Sequence, residues 1–115
     1  MLTTHSIDTH FRDKESSVRK TYDAILKTTN KWGTVTEEAK KTSIHLVRKT
    51  AFAGIATRKS VLILTFKSPT DIQSNRIFKH ERASTNRWHL EVKLDSPLAF
   101  DAEVKAWLKS SYEMS

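Results

Sequence analysis

The chain has 115 residues, 37% of them hydrophobic and 29% charged, with a net charge of +7, enough for one compact domain with an unstapled core. It contains no Cys, which excludes a disulfide framework, a thiolate nucleophile and Cys-ligated zinc. No apolar run approaches the roughly 20 residues that span a bilayer, and none at the N-terminus resembles a secretion signal, so the expectation is a cytoplasmic protein without membrane contact.

Residues 1–13, with His5, His10, Ile7 and Phe11, read as a partly ordered lead-in to a single domain over residues 14–115. A helix is predicted from Glu15 or Ser16, because Val18, Tyr22, Ile25, Leu26, Thr29 and Trp32 recur at three- and four-residue intervals. Gly33 sits where a left-handed helix end is expected. Thr34 to Lys40 is a polar connector, after which the pattern changes from helical to alternating.

Three strands follow: Thr42–Val47, Ala51–Thr57 and Val61–Phe66, joined by the basic turns Arg48-Lys49-Thr50 and Arg58-Lys59-Ser60. Such short connections require antiparallel neighbours. With tight turns, Leu46 lies opposite Phe52 and Gly54 opposite Leu64. One face then carries Ile44, Leu46, Phe52, Gly54, Ala56, Leu62, Leu64 and Phe66 and packs under helices, with Gly54 admitting a helix close to the backbone. The other carries Ser43, His45, Val47, Ala53, Ile55, Ile63, Thr65 and Lys67. A slip of one residue would exchange these sets.

Ser68-Pro69 ends the third strand. A hairpin of Arg76–Ala83 and Arg87–Leu94 turns at Ser84-Thr85-Asn86. In its second strand Trp88, Leu90, Val92 and Leu94 face inward, and Arg87, His89, Glu91 and Lys93 outward. Asp101 can cap a last helix whose Val104, Trp107, Leu108, Ser111 and Tyr112 form one stripe. The fold class is therefore α+β: a two-layer sandwich of helix, five-stranded antiparallel sheet and helix, both helices on one face. Its element order is similar to the frataxin fold, a likeness of topology that carries no function.

Three segments carry a closer likeness: Lys40 to Gly54 (KKTSIHLVRKTAFAG), Asn86 to Leu94 (NRWHLEVKL) and Ala106 to Tyr112 (AWLKSSY). They resemble those of the bacterial domain of unknown function 5655, over most of the chain from about Phe11 to Tyr112. The resemblance implies a small soluble domain without an assigned activity, sometimes fused to or beside other domains, some of them nuclease-related. The Lys41-Thr42-Ser43-Ile44-His45-Leu46 segment and the His89 strand are the family-like pieces.

Charge is concentrated upstream. The last 21 residues are net −2, so the first 94 carry +9, and Lys40 to Lys67 holds seven bases and no acid. On the face assigned to solvent, His45, Lys67, Arg87, His89 and Lys93, with Arg48 at the rim, form a candidate site for a phosphate or carboxylate held by charge-assisted hydrogen bonds. Exposed Lys, Arg and strand His are also ordinary surface residues. Nucleic acid, a small anion or an acidic protein surface are the candidate partners; the aromatics sit at core periods, so nucleic-acid binding would rest on phosphate contacts and be salt-sensitive.

No metal or cofactor is implied. His80, Glu81, His89 and Glu91 fall on opposite parities, with Phe78 and His80 inward, and His5 and His10 lack i,i+4 spacing. The acidic surface of an iron carrier is absent. Hydrolase elbows, phosphate-binding Gly loops, zincin pairs and dinucleotide fingerprints are missing, and Ser43 two residues from His45 is not by itself a dyad. Three functions stay open. The first is a binding module using the basic face; the second an enzyme with His45 or His89 as general base, distinguished by both imidazoles sharing a pocket. The third is an interaction module using an edge strand or a Val47-Ile55-Ile63 surface.

Overall fold

The computed structural model describes residues 6–115; His5 lies outside them. Helix α1 (Ser16–Asn30) buries Val18, Tyr22 and Ile25 along the stripe its sequence spacing predicts. The helix ends through Lys31, whose N–H reaches the carbonyls of Thr28 and Thr29. Gly33 lies beyond this helix end with a φ of 158°, positive and rarely adopted by L side chains; a Cβ there would also press on Tyr112 Oη and make the tyrosine shift. Upstream, a short 3₁₀ turn (Asp8–Phe11) places Phe11 against Tyr22, with ring centroids 5.1 Å apart, and under Arg19.

Helix α2 (Ala102–Glu113) starts at Asp101, whose Oδ1 accepts from the Val104 N–H at 3.2 Å. Arg76 donates to Asp101 at 2.9 Å and to Glu103 at 3.1 Å. The Arg76 guanidinium, helped by the Val104 N–H, holds the Asp101 carboxyl below its ordinary range. A carboxyl depressed by folding stabilises above its unfolded pKa of about 3.9, and that contribution is lost as pH falls through the folded value. Asp101→Asn, which keeps a capping oxygen, is expected to melt below the wild type at pH 6 and to converge with it in strong acid, as followed by circular dichroism. A gap independent of pH would place the effect outside this carboxylate.

Among the described residues the sheet has six antiparallel strands, not five: β1 (Thr36–Ala39), β2 (Ile44–Val47), β3 (Ala51–Thr57), β4 (Leu62–Ser68), β5 (Ile77–Ser84) and β6 (Arg87–Leu94). Strand β1 comes from the stretch expected as a connector. Thr-Glu-Glu-Ala offers no apolar alternation, and β1 is held instead by pairing with β2 and by Tyr22 Oη donating to Glu37 at 2.6 Å. Burial and the Glu37 carboxylate both raise the Tyr22 pKa, so the phenol remains the donor. The spatial order is β1-β2-β3-β4-β6-β5. The expected hairpin therefore inserts its second strand beside β4, which departs from a five-strand frataxin-like order.

Strand β3 sits one residue away from the expected register. Leu46 faces Ala53 and Gly54 faces Thr65, so Ala53 and Ile55 turn to the helices while Gly54 and Ala56 turn away. A bulge between β2 and β3 causes the shift: Val47 pairs with Ala51 and Leu46 with Ala53, leaving Phe52 unpaired. A bulged residue can join its neighbour on one side of the sheet. Phe52 accordingly reaches the core, edge-on to Tyr112 at 5.1 Å.

Ile44, Leu46, Ala53, Ile55, Leu62, Leu64, Phe66, Leu90, Val92 and Leu94 then form one core with Val18, Tyr22, Ile25, Val104 and Leu108. Both helices cover this face, and the other face is open. Ile55 being buried, the Val47-Ile55-Ile63 surface does not exist as a patch. Among the described residues no helix is long and apolar enough to cross a membrane.

Candidate functional site

The open face carries rows of side chains set by register. One row runs from Glu38 through His45, Gly54, Thr65 and Glu91 to Lys79; the next pairs Lys67 with His89 and His89 with Glu81. At the centre of these rows the side chains are small. Gly54 has no Cβ, Ala56 follows on the same face, and the bulge has taken Phe52 away. What remains is an open hollow of about 290 Å³, lined by residues 51–56 of β3 and Phe66 together with Ser43, His45, Thr65, Lys67 and His89. Small residues between two imidazoles and an amine produce a recess where regular pleating would give a flat surface.

Lys67 is the unusual member. It is 8% exposed, and its Nζ donates to Thr50 Oγ1 at 3.2 Å. The neighbouring carboxylates face elsewhere: Glu38 toward Lys40 at 3.3 Å, Glu91 toward Lys79 at 3.6 Å, and Glu81 toward His89 at 3.8 Å. Among the described residues no carboxylate oxygen lies within 4.0 Å of the Lys67 amine. An ammonium has three donors, and one protein acceptor uses one of them. Burial, and secondarily the positive charge of Arg87, push the Lys67 pKa down.

The Lys67 backbone is fixed from behind. Its N–H donates to Ser111 Oγ at 2.8 Å, and that hydroxyl donates to the Phe52 carbonyl at 2.6 Å. Helix α2 thus supplies a hydroxyl bridge just past the end of the β3–β4 pairing at Ala53 and Phe66. The site and the bulge are one construction.

Of the six residues predicted from sequence, the structure brings His45, Lys67 and His89 to the same hollow. Arg87 shares their face and acts on Lys67 through its charge. Lys93 is farther out on β6, with Nζ 4.9 Å from the centre of the Phe78 ring. Phe78 is 47% exposed rather than inward, because a bulge between Ile77 and Lys79 changes the parity of β5. Arg48 does not belong to the group: it stacks on Tyr112 at 4.6 Å and donates to the Tyr112 carbonyl at 3.2 Å, at the end of α2.

Thr50, Ser43 and Thr65 were absent from the predicted set, and Gly54 was assigned to the helix-covered face. The accumulation of Ala and Gly over residues 51–56 was the available sign of a recess. His80 bonds Asp71 through Nδ1 at 2.5 Å, and His10 Nε2 meets the Lys40 carbonyl at 2.8 Å; neither joins the hollow. Among the described residues no three His, Asp or Glu side chains gather as a metal set.

Fold and hollow together define a two-layer α+β domain with a basic recess on the sheet face that the helices leave open. A family profile matches residues 7–115, and the chain belongs to that family, the domain of unknown function DUF5655. Neither the curated proteins nor the solved structures gave a match.

Proposed function

We propose that the open-face hollow binds a small anion, a carboxylate or phosphate group on a compact ligand, with Lys67 as its anchor. The observation that carries this reading is Lys67: a residue only 8% exposed, with no carboxylate partner among the described residues, and lining a recess together with two imidazoles. Desolvating an ammonium is costly unless an anion compensates it. A bound carboxylate or phosphate supplies that compensation through charge-assisted hydrogen bonds. A hollow of about 290 Å³ suits a compact ligand at the small end of the range for such sites, more than a polymer.

The test is a ¹⁵N–¹H NMR titration with inorganic phosphate and with acetate. Saturable shifts are expected at the amides of Gly54, Thr65, Lys67 and His89. Gly54→Leu provides the control: a Cβ at Gly54 meets Thr65 Cβ at an ordinary 3.5 Å, so the variant is expected to fold, fill the recess and lose the shifts. Saturable shifts surviving in folded Gly54→Leu would move the site elsewhere; their absence in the wild type would remove it.

A second reading is enzymatic, favoured by His45 and His89 lining one recess. Two imidazoles facing a bound substrate can act as general base and general acid. On this reading the anion site holds the substrate, and chemistry takes place beside Lys67.

A further inference from the structure

The Lys67 amine suits one reaction in particular. It is a primary amine in a recess, directly cross-strand from an imidazole and without a carboxylate to hold its proton. We propose that Lys67 Nζ forms an imine with a small carbonyl compound that also bears a carboxylate, a 2-oxo acid, with His89 as the proton carrier. The proposal rests on the anion-site reading, since the carboxylate is what draws the compound into the hollow.

Burial beside Arg87 disfavours the charged amine, which leaves the nitrogen lone pair more often free to attack. The lone pair adds to the carbonyl carbon, and the carbonyl pair moves to oxygen, which takes a proton from the His89 imidazolium. The imidazole then accepts the surplus proton on nitrogen. Returned to the carbinolamine hydroxyl, that proton lets the C–O bond break with departure of water. The nitrogen pair closes the C=N bond, and His89 removes the iminium proton. Amine and carbonyl become imine and water, with no oxidant or reductant consumed. Thr50, the acceptor for Lys67 Nζ, holds the amine in place; Gly54 and Ala56 leave space for a carbonyl compound of few heavy atoms. The titratable and charged groups around the step are Arg87, His45, Glu81 and Glu91.

The test uses the full chain with pyruvate and cyanoborohydride, which reduces an imine to a stable secondary amine that peptide mass spectrometry can place. Lys67 is expected to be labelled ahead of exposed lysines such as Lys20 and Lys59. His89→Gln is expected to slow Lys67 labelling about 100-fold, the scale of a positioned proton carrier. Lactate has the carboxylate without the carbonyl, so its amide shifts report the anion site alone. If lactate binds but Lys67 is labelled no faster than Lys20, the imine is overturned and the anion site stands. If lactate and phosphate both fail to bind and Lys67 is not preferred, both ideas fall.

Discussion

Replacing Lys67 with Met is expected to weaken acetate or phosphate binding about 10- to 100-fold, the worth of a hydrogen bond to a charged group. The same change is expected to leave the fold as stable as before, or more stable by about 1 kcal/mol. The two effects have one origin. In the free protein Lys67 is 8% exposed and the protein partner of its ammonium is the neutral Thr50 hydroxyl, so its desolvation is only partly offset. Met keeps a similar length and apolar stem without the charge. It therefore removes both the cost in the free state and the attraction in the bound state. Calorimetric titration at two salt concentrations, with thermal melts of both proteins, would measure the pair of changes. A variant that melts much lower and binds as well as wild type would make Lys67 a structural residue. Arg48→Glu, by contrast, is expected to affect the Tyr112 end of α2 and leave the anion shifts in place, because its guanidinium is occupied there.

The sequence revealed most where one periodicity held without interruption. Strand β6 was legible because Trp88, Leu90, Val92 and Leu94 alternate with polar residues through its whole length, and α1 and α2 because their stripes keep helical spacing. Strand β3 was not, since Ala51, Phe52, Ala53, Gly54, Ile55 and Ala56 place apolar or small residues on both parities, and either register hides a plausible set. What chose between them was a bulge that buries Phe52 against Tyr112, a contact 60 positions apart in the chain. Strand β1 was missed because an edge strand of Thr-Glu-Glu-Ala has no apolar pattern to detect. At the site, parity alone placed His45, Lys67, Arg87, His89 and Lys93 on one face. The hollow among them depended on the β3 shift, and the position of Arg48 on a turn that parity does not govern.

The bridge behind the site leads to the second large effect. Ser111→Ala is expected to destabilise the protein by about 2 to 4 kcal/mol, since the Lys67 N–H and the Phe52 carbonyl would each lose a buried partner at roughly 1 to 3 kcal/mol per group. For a chain of 115 residues this corresponds to a fall in melting temperature of roughly 10 °C. Where β3 and β4 pair regularly, from Ala53 opposite Phe66 to Thr57 opposite Leu62, the backbone groups satisfy one another. Beyond Ala53 the bulge carries the Phe52 carbonyl out of line, and the Ser111 hydroxyl accepts from one strand and donates to the other. Ala provides neither bond, and Thr keeps the hydroxyl but adds a methyl to a position that is fully buried. Amide hydrogen exchange separates this account from a general loss of packing. At a denaturant concentration that equalises global stability, Lys67 is expected to exchange much faster in Ser111→Ala, with Leu64 and Val92 unchanged. Uniform acceleration across β4 and β6 would mean that the hydroxyl supports the core as a whole. Selective opening would mean that the last turn of α2 holds the floor of the hollow in shape, making the position of the Lys67 amine depend on a helix on the opposite side of the sheet.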